Sequence, residues 1–92
     1  MQKVCCNNIN VEDGKVVYTG FLNPRGGFET DVTVTRQNRD TFFVVCPTAH
    51  ATKDMHWLKK NADIDEFVTF TDVTSAYSVL NIQGPDSEKL LT

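Results

Sequence analysis

The sequence is poor in several things, and each shortage removes a class of function. It has three cysteines, an odd number, and Cys5 and Cys6 are adjacent, a spacing at which a disulfide ring is strained. With no CxxC-like pair, a zinc site is excluded, so the cysteines read as free thiols, with Cys46 filling space in an apolar strand. Positive charge is scarce too. Nine Lys and Arg against twelve Asp and Glu give a formal net charge of −3, and Lys59-Lys60 is the one basic pair, which argues against a nucleic-acid surface. No apolar run approaches the roughly 18 residues that would span a membrane. The opening MQKVCC has neither a signal-peptide core nor an Arg-rich amphipathic presequence, an absence that says nothing about location because the start reads as internal. His50 and His56 are six apart, outside the ligand spacing of a helix face, and read as surface residues. Repeats, low-complexity stretches and linkers are absent.

What is present centres on Gly14 to Arg36. Lys15 to Leu22 is a β-branched and aromatic run, apolar on both faces, as expected of an interior strand. Asn23-Pro24-Arg25-Gly26-Gly27 is a turn, in which Pro24 presets one φ and the Gly pair supplies positive φ. The second strand alternates, with Phe28, Thr30, Val32 and Val34 on one face and Glu29, Asp31, Thr33 and Thr35 on the other. Aspartate is depleted in strands, yet Asp31 stands mid-strand. Two readings fit: a solvated face with ordinary acids, or a carboxylate at the floor of a pocket beside hydroxyls from Thr33 and Tyr18.

The rest reads as scaffold. Gln2 to Ile9 looks like the frayed end of a helix. Gln37 to Asp40 is a polar turn, and Thr41 to Cys46 a nearly continuous apolar strand ended by Pro47, completing an antiparallel meander. Thr48 can cap a helix from about Ala49 to Asn61, with Ala51, Met55, Leu58 and Ala62 on the face that meets the sheet, Trp57 partly buried beside it and Lys59-Lys60 suiting the dipole of its last turn. Asp63-Ile64-Asp65-Glu66 is an acidic loop without an EF-hand signature. Phe67 to Thr71 and Tyr77 to Gln83 alternate like strands, and a helix starts at Pro85, with Leu90 and Leu91 as its first buried residues. The order predicts an α+β fold, a mainly antiparallel sheet with helices packed on one face. Both ends read as cut through elements, so residues 1–92 are expected to be a single partial domain, an internal piece of a longer chain.

In this order and spacing, Tyr18-Thr19, Leu22-Asn23, Gly26-Gly27, Asp31 and Val34 resemble the folate-binding domain of the glycine-cleavage T-protein (aminomethyltransferase) superfamily. More narrowly, Asn23 to Gly27 followed by Phe28 to Val34 is similar to the mitochondrial dimethylglycine and sarcosine dehydrogenase group, which carries this domain behind a flavin domain. The pyruvate dehydrogenase phosphatase regulatory subunit belongs to the same group. Phe42-Phe43, Pro47-Thr48 and Trp57-Leu58-Lys59-Lys60 have a similar flavour. The likeness extends to Asn81-Ile82-Gln83-Gly84-Pro85, nearly the whole chain.

The resemblance implies a larger aminomethyltransferase-type domain that binds tetrahydrofolate, with FAD held in a separate domain outside this chain and a mitochondrial matrix location. The family's carboxylate maps onto Asp31 as the catalytic residue, and Tyr18, Asp31 and Thr33 are the implied folate contacts; Glu29 is a weaker candidate. A carboxylate suits the reaction, because positive charge develops on the folate nitrogen as it attacks a one-carbon electrophile. The pattern departs in two places. Many aminomethyltransferases carry an aromatic four residues after the Asp, where this chain has Thr35, and an Asn-Asp or similar pair where it has Asn7-Asn8. The implied parent is a flavin-dependent demethylating dehydrogenase that passes a one-carbon unit to tetrahydrofolate, its partners being folate and the remainder of the parent chain. The alternative is a non-catalytic regulatory relative that binds the phosphatase catalytic subunit. The piece alone is expected to be inactive and to bind folate weakly or not at all.

Overall fold

The computed structural model describes residues 1–63 and 65–92. Three strands, β1 (Val16–Leu22), β2 (Phe28–Asn38) and β3 (Thr41–Val45), form an antiparallel meander in the order β1-β2-β3. A 3-10 turn at Thr48–His50 leads into a helix, α1 (Ala51–Asn61), and a second helix, α2 (Ser87–Leu91), comes last. This is the predicted α+β class, and the hairpin turn is the predicted one. Gly26 takes φ +83, and the Asn23 Oδ1 accepts the backbone N–H groups of Arg25 and Gly27 at 2.9 and 3.0 Å.

Period-2 alternation decides what is buried. On β2, Thr30, Val32 and Val34 face inward and are buried, while Asp31 between them is exposed. On β1, Val17 and Phe21 face the same inner side; on β3, Phe42 and Val44 do. Val4 and Ile9 of the N-terminal segment close the core with Phe21, Val32 and Val34, and Trp57 and Leu58 of α1 pack against it. One face of the sheet is therefore covered. The other carries Tyr18 and Asp31.

Several expectations change. Strand β1 is an edge of the ladder rather than an interior strand, although its free side is protected: the Cys6 N–H donates to the Gly20 carbonyl at 3.0 Å and the Leu22 N–H to that of Val4 at 2.8 Å. The segment making those bonds is a turn followed by an isolated bridge, Cys5 opposite Phe21, and not the end of a helix. Thr48 opens the 3-10 turn instead of capping α1, which begins three residues later. On α1, Ala51, Met55, Leu58 and Trp57 are half-buried as expected, as is Ala62 just past its end, but the deepest residue is Asp54, at 3% exposure, with neither oxygen hydrogen-bonded among the described residues. Burial and then the charge of Asp54 push the neighbouring Cys46 thiol above its usual range.

The two later strands do not form. Residues 67–71 and 77–83 lie outside the sheet, and Phe67, Val79 and Leu80 are 99%, 90% and 85% exposed. Alternation supplies a pleated surface, but a strand also needs a ladder partner, and among the described residues neither segment pairs with one, although the outer edge of β3 carries no strand. Helix α2 likewise leaves Leu90 and Leu91 exposed instead of buried. The acidic loop reading over Asp63–Glu66 includes Ile64, which lies outside the described residues; Asp63 itself pairs with Lys3 at 2.9 Å, both side chains being exposed.

Phe21 is 0% exposed at the centre of this core, so Phe21→Ala is expected to destabilise the domain by roughly 3–5 kcal/mol. Val16→Ala, on the open face, should cost less than about 1 kcal/mol. Urea unfolding of both variants checks this; equal losses would contradict the assignment of inner and outer faces.

Candidate functional site

The uncovered face of the sheet is where the sequence-predicted site residues meet. Gly20 is paired with Asp31 and Tyr18 with Thr33, so Tyr18 and Asp31 are diagonal neighbours on one face. The Tyr18 hydroxyl reaches across that diagonal and donates to Asp31 Oδ2 at 2.6 Å, the short distance of a bond to a carboxylate. The accepting charge has a consequence for the donor: the hydrogen bond to Asp31, then its negative charge, hold the Tyr18 phenol above the ordinary tyrosine range. The other carboxylate oxygen, Oδ1, has no hydrogen-bond partner among the described residues. Thr33 is brought alongside Tyr18 by the register and lies opposite Val45 on its other side. The three predicted residues thus share one face of two paired strands.

That face is open. Tyr18 is 66% exposed and Asp31 is exposed too, and two clefts among the described residues, of about 310 and 80 Å³, lie elsewhere, one lined by residues 82–87 with Leu90 and the other by the N-terminal segment with α1 and Phe70. The carboxylate sits on a platform and not at the floor of a pocket.

Two residues at this platform were not foreseen there. Phe28 shares sequence parity with the inward Thr30, Val32 and Val34, but the register slips: Phe21 pairs with Thr30 and Leu22 with Phe28, leaving Glu29 as an extra residue. A bulge of one residue reverses the face of what precedes it. Phe28 therefore turns outward, and the far edge of its ring lies on Gly20, where an added Cβ would sit 2.7 Å from Cζ. Gly20 is the residue paired with Asp31. The signal was legible in principle, since a glycine inside a strand marks a close approach. Glu29, read as sharing the Asp31 face, is instead half-buried at the bulge. Its carboxylate accepts from Asn23 Nδ2 at 3.2 Å and its carbonyl from Lys53 Nζ at 2.8 Å.

The chain's similarities bear on this arrangement. The GCVT N-terminal domain model matches residues 1–92. The chain belongs to that family. It is 35% identical over its whole length to the mitochondrial pyruvate dehydrogenase phosphatase regulatory subunit of Mus musculus, covering 10% of that protein. Over 99% of its length it is 40% identical to the 4-methylaminobutanoate oxidase (formaldehyde-forming) of Paenarthrobacter nicotinovorans, covering 11% of it. Over 92% of its length it is 37% identical to the aminomethyltransferase of Chlorobium chlorochromatii strain CaD3, covering 24% of it. The chain spans between a tenth and a quarter of these relatives. No solved structure matches it.

Within this GCVT N-terminal domain, the other singled-out polar residues have structural partners. Asn7 Nδ2 donates to the Tyr18 carbonyl at 2.7 Å and braces the edge of β1, while Asn8 Oδ1 accepts from Gln2 at 2.7 Å within the N-terminal segment. His50, expected at the surface, is half-buried, its Nδ1 3.1 Å from the Thr30 hydroxyl on the covered face. Cys6 is exposed; contact with the Thr19 hydroxyl and then the Gly20 N–H, each at 3.4 Å, lowers its thiol below the usual range. No group of three or more His, Cys, Asp or Glu among the described residues is placed to hold a metal ion, and none of the described helices is long and apolar enough to cross a membrane.

The Tyr18–Asp31 bond has a measurable titration. Because the folded-state value of Tyr18 is raised, its contribution to stability is fully present below the ordinary tyrosine range and is lost as pH rises through the folded value. In the 92 residues carrying Tyr77→Phe, where Tyr18 is the one tyrosine left in this stretch, tyrosinate absorbance should develop at higher pH than in the same stretch that also carries Asp31→Asn. Coincident titrations would contradict the bond.

Proposed function

We propose that this chain is the tetrahydrofolate-binding segment of a flavin-dependent demethylating dehydrogenase, of the dimethylglycine and sarcosine dehydrogenase kind, which transfers a one-carbon unit to tetrahydrofolate. The observation that carries the reading is the Asp31 carboxylate, fixed by the Tyr18 hydroxyl at 2.6 Å on an uncovered sheet face with its second oxygen unengaged. The residues fit the ligand. Tetrahydrofolate, when bound, supplies the nucleophilic nitrogen that accepts the one-carbon unit. Asp31 Oδ1 is free to accept an N–H from that nitrogen, and its charge opposes the positive charge that grows there as the new carbon–nitrogen bond forms. As the nitrogen sheds its proton, Asp31 can take it. Tyr18 holds the carboxylate in one orientation, and Thr33 offers a hydroxyl beside it. The flavin, FAD, is assigned to a separate domain outside these residues.

The names of the relatives support the chemistry from two directions, one being an aminomethyltransferase and another a formaldehyde-forming oxidase. The match to the mouse protein supports a second reading, since it covers the whole chain: a non-catalytic regulatory relative that acts through contact with a phosphatase catalytic subunit. A mitochondrial location accompanies either reading, following that relative's name, and the matrix is the compartment proposed within it.

In the full-length protein, Asp31→Ala is expected to lower the yield of methylene-tetrahydrofolate by at least tenfold, a transition-state loss of about 1.4 kcal/mol, and to release formaldehyde in its place. Assay of both products in the presence of tetrahydrofolate checks this. An unchanged partition would contradict the catalytic role, and an unaltered phosphatase regulation in a protein that binds no folate would establish the second reading.

A further inference from the structure

We propose that Phe28 is the aromatic wall of the ligand site: the bulge at Glu29 turns its ring out onto Gly20, beside Asp31, to pack against the planar ring next to the reacting nitrogen. This deepens the folate reading and rests on it. Three observations place the ring there. The register pairs Leu22 with Phe28 and Phe21 with Thr30, so Glu29 is extra and Phe28 takes the outer face that its sequence parity denies it. The ring edge occupies the space a side chain at Gly20 would fill, with Cζ, Cε2 and Cε1 at 2.7, 2.9 and 3.0 Å from an added Cβ. Gly20 is in turn paired with Asp31, so the ring, the carboxylate and the Tyr18 phenol converge on a few residues of two strands.

The placement is not accounted for by the core. Phe28 is 67% exposed, whereas the buried cluster is complete without it. A large aromatic held on a sheet surface by a bulge, over a glycine that leaves room for it, is arranged for a ligand with a flat face. The bulge is also anchored, with Lys53 Nζ bound to the Glu29 carbonyl at 2.8 Å and Asn23 Nδ2 to its carboxylate at 3.2 Å. An aromatic at position 28 would thus do for this site what Thr35, four residues beyond Asp31, does not.

Calorimetric titration of the full-length protein with folinic acid, a stable reduced folate, tests this with four forms: wild type, Phe28→Ala, Phe28→Tyr and Gly20→Ala. Phe28→Ala is expected to weaken binding about tenfold, the order found when an aromatic that stacks on a base is cut to alanine. Phe28→Tyr should bind like wild type. Gly20→Ala, whose new methyl group displaces the ring without removing it, should weaken binding in the same direction as Phe28→Ala. Circular dichroism on each form confirms that it is folded, as expected for a change at an exposed ring. Wild-type binding that is matched by Phe28→Ala would overturn the role of Phe28 and leave the folate reading in place. A folded wild type that binds no folinic acid would overturn both.

Discussion

The antiparallel ladder between β1 and β2 constrains everything else, because each residue's face is set by its partner across the ladder. Thr30, Val32 and Val34 must go inward together, and with them Val17 and Phe21, which commits the sheet to one covered face. By the same rule Tyr18, Asp31 and Thr33 must go outward together. The diagonal hydrogen bond at 2.6 Å is then a consequence of register: a slip of one residue would bury the carboxylate and expose the valines. Core and candidate site are two sides of one pairing.

The exception to the rule is as informative as the rule. One extra residue at Glu29 breaks the alternation where β2 begins, and the break moves a phenylalanine from the expected core to the platform. A bulge bends its strand and leaves one residue unpaired, which suits it to re-aiming a side chain at the end of a strand. Here the bulge is fixed from both sides, by the Asn23 side chain of the hairpin turn and by Lys53 of α1. The turn, the helix and the site are coupled through it.

The hairpin was legible in the sequence because its signals are local: a Pro and Gly turn, a clean alternation from Thr30 to Thr35, and a carboxylate out of place. The third strand and the apolar stripe of α1 were legible for the same reason. What could not be read depends on partners. Residues 67–71 and 77–83 have the pattern of strands, but pairing is non-local, and among the described residues Tyr77 has a single aromatic neighbour on the sheet, Phe43, at a ring-centroid distance of 5.4 Å. Phe28 was misplaced because a bulge cancels parity, although Gly20 marked the spot. Asp54 was missed because a buried acid at the inner face of a helix breaks the apolar stripe that reveals that face.

The GCVT N-terminal domain family is shown by the match over the whole chain; the central claim is narrower, that the Asp31 carboxylate on this platform holds a folate. It is tested most directly by calorimetric titration of the full-length protein with folinic acid, wild type against Asp31→Asn, a change that keeps the side chain's size and removes its charge. The account predicts saturable binding by the wild type and a loss of tenfold or more in the variant, about 1.4 kcal/mol. Equal affinity in the two forms would contradict it.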